Sequence, residues 1–252
     1  MRITKFLALA FLLTFAVAAC DTAGNATATP EPTATPPVTP SPEEVLSNAR
    51  DAADDLETYS FNGHRFQNIV VTGVEDDEPY AGGAVGTWAA GQGWSAEVEG
   101  FGFGRGLTEA VVMVSDGDRV LRNDNPAEED WAQIDSAPFT PPTPDTWRFV
   151  LDLDDLELQS EEVTVGEAMA YRFSGTRVGE RETFPDVFDG VGDPGEEVFE
   201  VYDVFIDVAT YQVVRIAKAI EVEPVNYTAT WDFSEHNQPV NIELPDEADI
   251  QQ

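Results

Sequence analysis

Cys20 is the only thiol in a chain of 252 residues. A lone cysteine can act as a nucleophile, a metal ligand, half of an intermolecular disulfide or an attachment point. An internal disulfide is impossible with one cysteine. Nucleophilic catalysis needs a thiolate held beside a base, and a flexible tether between an apolar run and a Thr/Pro tract cannot hold one. His64 and His236 stand far apart and at no metal-ligand spacing, so zinc and HExxH chemistry lack support. There is no GxSxG elbow and no Walker GxxxxGKS/T loop. The acidic clusters Glu75-Asp76-Asp77-Glu78 and Asp152-Leu153-Asp154-Asp155 lack the alternating ligands and central glycine of an EF-hand, and read as solvated surface. With 48 carboxylates in the chain, any chosen glycosidase pair carries no information. The residues therefore point away from an enzyme and call for no cofactor or metal.

What remains is aromatic and apolar. Trp88, Trp94, Trp131, Trp147 and Trp231 can stack sugars, line an apolar cavity or fill a core. Gly100-Phe101-Gly102-Phe103-Gly104-Arg105-Gly106 puts rings on one side of an extended segment and bare backbone on the other. It reads either as a bent edge strand or as a rim past which an acyl chain runs. Residues 177–197, with Phe184, Val187, Phe188 and Val191, form a second long irregular segment that suits a lid or disorder.

The first forty residues explain Cys20. Arg2 and Lys5, an apolar stretch from Phe6 to Val17 and then Ala18-Ala19 describe a signal peptide over 1–19. The stretch is shorter than the roughly 20 residues of a membrane span. Val17-Ala18-Ala19-Cys20 resembles the bacterial lipobox, in which the cysteine is diacylated and becomes the first residue. Residues 20–41 then carry the lipid anchor, Cys20, and a Thr/Pro-rich spacer too poor in apolar groups to build a core. Residues 42–252 suffice for one domain. The chain carries a formal charge of −35. Such a field repels nucleic acid and, at a cavity mouth, anionic headgroups.

Ser41-Pro42-Glu43-Glu44 combines a capping box with proline at the first helical position. Val45, Leu46, Ala49, Ala53 and Leu56 then share one stripe. A second helix is expected over 144–154, with Trp147, Val150 and Leu151 on one face. Strands are expected at 58–72, 84–90, 93–100, 108–115, 118–123, 131–134, 161–166, 168–176, 198–208, 211–222, 226–235 and 239–244. Short turns such as Ser115-Asp116-Gly117-Asp118 imply antiparallel pairing. In 198–208 one parity carries Val198, Tyr202, Val204, Ile206 and Val208. The other carries Phe199, Val201 and Phe205. Both faces are apolar, so each needs a cover: helix and core, or a ligand in a concave face.

These stretches together resemble the LppX/LprG-type lipoproteins, which share the fold of the LolA and LolB carriers. The likeness rests on SPEEVLSNARDAADDLETYSF, on SDGDRVLRN followed by Trp131-Ala132-Gln133-Ile134, and on VGEAMAYRF. It continues through VYDVFIDVATYQVVRIAKAIEV, YTATWDFS and the terminal Ile242-Glu243-Leu244-Pro245. The resemblance implies an α+β fold: an antiparallel sheet of about 10–12 strands curled into a half-barrel, with two or more helices on its concave side. It also implies an envelope lipoprotein on the extracytoplasmic face of the cell membrane. Such a protein binds lipid or acyl chains for transport or presentation and serves a membrane transporter or regulator. A sensor without transport is the alternative on the same fold. A monomer is expected. Candidate wall residues are Trp88, Trp94, Phe101, Phe103, Met113, Phe205 and Trp231.

Overall fold

The computed structural model describes residues 39–69, 80–100, 110–125, 130–135, 140–180, 197–222 and 225–251. Residues 1–38, over which a signal peptide, a lipobox at Cys20 and a spacer are expected, lie outside them, as do Phe101 and Phe103. Helix α1 spans Pro42–Asp54 and α2 spans Pro144–Leu151. The strands are β1 (Thr58–Ile69), β2 (Tyr80–Ala89), β3 (Gly93–Glu99), β4 (Val111–Ser115), β5 (Val120–Asn123) and β6 (Trp131–Ile134). They continue with β7 (Glu157–Val165), β8 (Ala168–Glu180), β9 (Glu197–Asp207), β10 (Val213–Val222), β11 (Val225–Ser234) and β12 (Ile250–Gln251).

All twelve belong to one open sheet ordered β12-β6-β5-β4-β3-β2-β1-β11-β10-β9-β8-β7. Two antiparallel meanders, β1–β6 and β7–β11, meet where β1 pairs with β11. The chain must therefore pass from the β6 edge to the β7 edge, and α2 lies on that crossing. One hydrophobic cluster joins α1 (Val45, Ala49, Ala53) and α2 (Trp147, Val150, Leu151) to strands from β4 (Met113) to β8 (Phe173). Eight strands spaced about 4.8 Å apart would span over 30 Å if flat. A single cluster on two short helices touches both ends of that span only because the sheet curls around them.

The helices begin as their sequences dictate. Ser41 Oγ accepts a hydrogen bond from the Glu44 amide at 3.2 Å, and the Thr143 amide donates to Thr146 Oγ1 at 3.3 Å. Arg50 Nε donates to Asp152 Oδ1 at 2.6 Å, and Arg148 pairs with Asp54, so the two helices are clipped together. The Tyr59 hydroxyl donates to the Pro142 carbonyl, fixing the approach to α2 on the central strand. Every described element and core cluster lies within Pro40–Gln252, so this unit holds its own packing.

Three expectations change. Residues 239–244 form no strand. Val240 and Ile242 instead cover the outer side of β4 and β5, against Val114 and Leu121. After that crossover β12 joins the edge parallel to β6, the one parallel pair among the described strands. Residues 177–180 continue β8, and 197 already begins β9, so both ends of the irregular segment expected over 177–197 are strand, while 181–196 lie outside the described residues. Finally, Val208–Gln212 is a turn. Asp207 Oδ1 accepts from the Ala209 and Thr210 amides at 3.0 and 2.7 Å, and the chain passes through Tyr211 at φ 58°.

Candidate functional site

Strand register sorts the inner, helix-bearing face into rows. One row reads Tyr171, Ile206, Phe233, Phe61, Gly86, Ala96 and Met113, and the next reads Phe173, Val204, Ile216, Trp231, Gly63, Ala84 and Val98. Beyond them the character changes. Gly175, Tyr202, Lys218, Ala229 and Arg65 share a row, followed by Arg177, Glu200, Ile220 and Tyr227.

The apolar rows are sealed. Met113 and Trp147 are wholly buried, and Trp94 nearly so. Trp88 stacks on Tyr59 with ring centroids 5.2 Å apart. Trp231 lies across Gly63, where a Cβ would come within 2.0 Å of its ring. Glycine is required there by that close approach alone. Trp231 meets Phe61 edge-on at 6.0 Å and stays partly exposed. Four of the residues singled out from the sequence, Trp88, Trp94, Met113 and Trp231, thus share the inner face. Phe205 does not join them. It projects to the outer face, packed with Val165 and Ala170, and Arg172 and Arg215 lie over its ring at 5.9 and 5.8 Å.

The polar rows were not found from the sequence. Glu200 is fully buried, and its Oε1 is ion-paired with the Lys218 ammonium. Its Oε2 accepts from the Tyr202 hydroxyl at 3.2 Å and lies 3.5 Å from Arg177 Nη1. Burial, and then the Glu200 carboxylate, hold the Tyr202 phenol well above its ordinary range, so it stays a donor. Lys218 sits 5.7 Å from the Tyr202 ring and 5.9 Å from the Tyr227 ring, and Arg65 lies 5.8 Å from the same Tyr227 ring. Arg177 lies 5.0 Å over Phe149 of α2, whose ring also meets Tyr202 at 5.9 Å. One signal was available: Glu200 is the only carboxylate on the apolar parity of Val198, Tyr202, Val204 and Ile206.

The remaining chemistry is structural. Asp155 accepts from the Thr176 amide at 2.8 Å and from its hydroxyl, which lowers the Asp155 pKa and ties the α2–β7 connection to β8. Among the described residues no three His, Cys, Asp or Glu side chains gather as a metal site. A cavity of about 500 Å³ opens elsewhere, between the β7–β8 and β9–β10 turns and the end of β11. Its guanidinium, Arg215, is committed to a two-pronged pair with Asp232, with Nη2–Oδ2 at 3.0 Å.

His236, also on that cavity, contacts the core through Trp147 at 5.9 Å, and its Nε2 lies 3.0 Å from the Val213 carbonyl. Burial lowers its pKa, outweighing the Val213 hydrogen bond and the Asp207 charge. A depressed pKa means that the unfolded chain takes up the proton first. Its contribution is therefore complete above the ordinary histidine range near 6.5 and is lost as pH falls through the folded value. Urea unfolding at pH 7.5 and 5.5 should show a fall in stability that His236→Gln reduces. Equal falls in both proteins would refute it.

No protein family model matches this chain, and no curated protein matches it. Among solved structures it is similar to LprF from Mycobacterium bovis, at 14% identity over 82% of this chain and 99% of that one, with a TM-score of 0.45. It is also similar to a LolA superfamily protein from Nitrosomonas europaea, at 8% identity over 83% of this chain and 97% of that one, with a TM-score of 0.33. A third is the Pseudomonas aeruginosa MucA/MucB complex, at 14% identity over 82% of this chain and 61% of that one, with a TM-score of 0.37.

Proposed function

We propose that this protein is an extracytoplasmic lipoprotein, anchored to the cell membrane through Cys20, that holds a lipid or acyl chain on the inner face of its curled sheet. The observation that carries the reading is the border between the sealed apolar rows and the polar rows. There Trp231 and Tyr227 on the sheet, and Phe149 of α2, remain partly exposed. Aromatic groups on a concave face offer an apolar ligand surface that water solvates poorly, at about 0.8 kcal/mol per CH₂ buried. Trp88, Trp94 and Met113 would back this wall from within the core. Transport or presentation of the ligand, with a transporter or regulator as partner, is the role such binding serves.

A second reading, a sensor that docks partners without moving lipid, is favoured by one feature. On the outer face Val178, Phe199 and Val201 are 53%, 54% and 44% exposed and adjacent across β8 and β9. Native mass spectrometry of Pro40–Gln252 from a lipid-containing host separates the two. Co-purified lipid of defined mass is expected. Protein that is empty, and that stays empty when offered lipids, would overturn the carrier reading.

A further inference from the structure

Resting on the docking reading of the outer face, and independently of what the inner face holds, we infer that the outer face receives a cationic amphipathic helix of a partner protein, one with an apolar stripe bordered by lysine or arginine. The placement of apolar groups carries this. Val201 on β9, Ala219 on β10, Thr228 on β11 and Phe66 on β1 lie in one outer row, and Val178 and Phe199 lie in the next. Phe66, Val178, Phe199 and Val201 are 41%, 53%, 54% and 44% exposed. The solvated face of an antiparallel sheet is ordinarily polar. Here large apolar groups stand in water on both sides of a floor of small ones.

The spacing fits a helix. Val201 and Phe66 are three strands apart, about 14 Å at the usual strand separation. Between them the floor is made by Ala217 and Ala219 of β10 and by Thr228 and Thr230 of β11. An α-helix with its side chains is about 10–12 Å across, so one can lie between the two apolar ridges with its stripe on the floor. Neither described helix does so, because α1 and α2 both pack into the inner core.

Charge then selects the helix. Glu157 of β7 and Glu99 of β3 end the outer row that runs through Asp203, Ala217 and Thr230. Each stands two strands from a ridge, about 10 Å, close to the screening length at 0.1 M salt. Glu197 lies on β9 itself, two residues before Phe199. All three glutamates are exposed, and none has a side-chain ion pair or hydrogen bond among the described residues. The arginines of this face on β8 and β10, Arg172 and Arg215, are already held by Asp203 and Asp232. A second copy of this chain, at a formal charge of −35, would set the same glutamates against each other, and an anionic lipid surface is repelled likewise. A helix with lysine or arginine along its edges meets the glutamates while its stripe covers the ridges.

The test uses a fluorescently labelled amphipathic peptide of leucine and lysine, about 18 residues or five helical turns long, against Pro40–Gln252 at physiological salt. A leucine–glutamate peptide of the same length has the stripe without the positive charge, and oligolysine has the charge without the stripe. By anisotropy the leucine–lysine peptide should bind roughly tenfold or more tighter than either. Phe66→Ser combined with Phe199→Ser should weaken it by a similar factor. Both phenylalanines are exposed, so the double variant should keep its urea midpoint. Equal binding of the leucine–glutamate peptide would overturn the cationic partner while leaving a docking face standing. Oligolysine binding as tightly as the amphipathic peptide, or binding that survives the double substitution, would overturn the groove. Failure of every peptide to bind would overturn the docking reading as well. A lowered urea midpoint would mean that the chain covers this face itself and would overturn the partner helix. A dimer in sedimentation, or capture by phosphatidylcholine vesicles, that the double variant abolishes would do the same, giving the face to a second copy or to a lipid surface.

Discussion

Trp147→Ala should lower the unfolding free energy of Pro40–Gln252 by about 3–5 kcal/mol, the range for emptying a large aromatic from a core. Trp147 is wholly buried, and its ring meets Tyr59, Phe233 and His236 at centroid distances of 5.2, 4.6 and 5.9 Å. It is the point at which α2 is fastened to β1 and β11, the two strands that join the meanders. Few neighbours can collapse into the space, because Tyr59 is already held by the Pro142 carbonyl and stacked on Trp88. Trp147→Phe should cost far less, about 1 kcal/mol. The indole Nε1 is buried without a hydrogen-bond partner, so losing it removes a desolvated donor rather than a bond. Urea midpoints followed by circular dichroism test the contrast. If alanine and phenylalanine cost the same, the indole is not the fastening point. Because α2 also carries Phe149, the alanine variant should weaken lipid binding as well, even where it remains folded.

Helix α1 was legible because its signals agree. The Ser41 cap, Pro42 and the stripe Val45, Leu46, Ala49, Ala53 and Leu56 specify the same helix: Val45, Ala49 and Ala53 are buried on it, Leu46 packs partly buried on the same cluster, and Leu56 is buried just past its end. Most strands were legible from alternation alone. The run 239–244 misled because Val240 and Ile242 alternate as a strand would, yet alternation only says that one side is covered. A segment draped over Val114 and Leu121 obeys the same pattern without pairing. Phe205 shows the same limit from the other side. Its parity with Phe199 and Val201 already set it opposite Tyr202 and Val204, but aromatic character suggested a cavity wall. The polar rows were hidden for a different reason. Arg65, Arg177, Glu200 and Lys218 come from four strands spread over more than half of the domain, and only register brings them together. Sheet order is a global property, set by how the two meanders meet, and no local pattern encodes it.

The strongest stability effect of those rows should appear in a double-mutant cycle on Glu200 and Lys218. Lys218→Met leaves a wholly buried carboxylate with the Tyr202 hydroxyl and an arginine 3.5 Å away. Breaking a fully buried pair costs about 3–5 kcal/mol. Here Arg177 remains and Lys218 is partly exposed, so about 2–3 kcal/mol is expected. Glu200→Gln removes the charge that needed compensation, keeps an acceptor for Tyr202 and lets Lys218 turn toward water, for about 1 kcal/mol. Adding Lys218→Met to Glu200→Gln should then cost little further, which gives a coupling of about 1.5 kcal/mol or more. The pair Arg50–Asp152 provides the comparison. Its side chains are 39% and 59% exposed, and its cycle should yield under about 1 kcal/mol, fading as salt is added. Coupling at Glu200 should persist in salt, because water and ions do not reach a carboxylate with no exposed surface. Additive costs for Glu200 and Lys218 would mean that the carboxylate does not fix the ammonium.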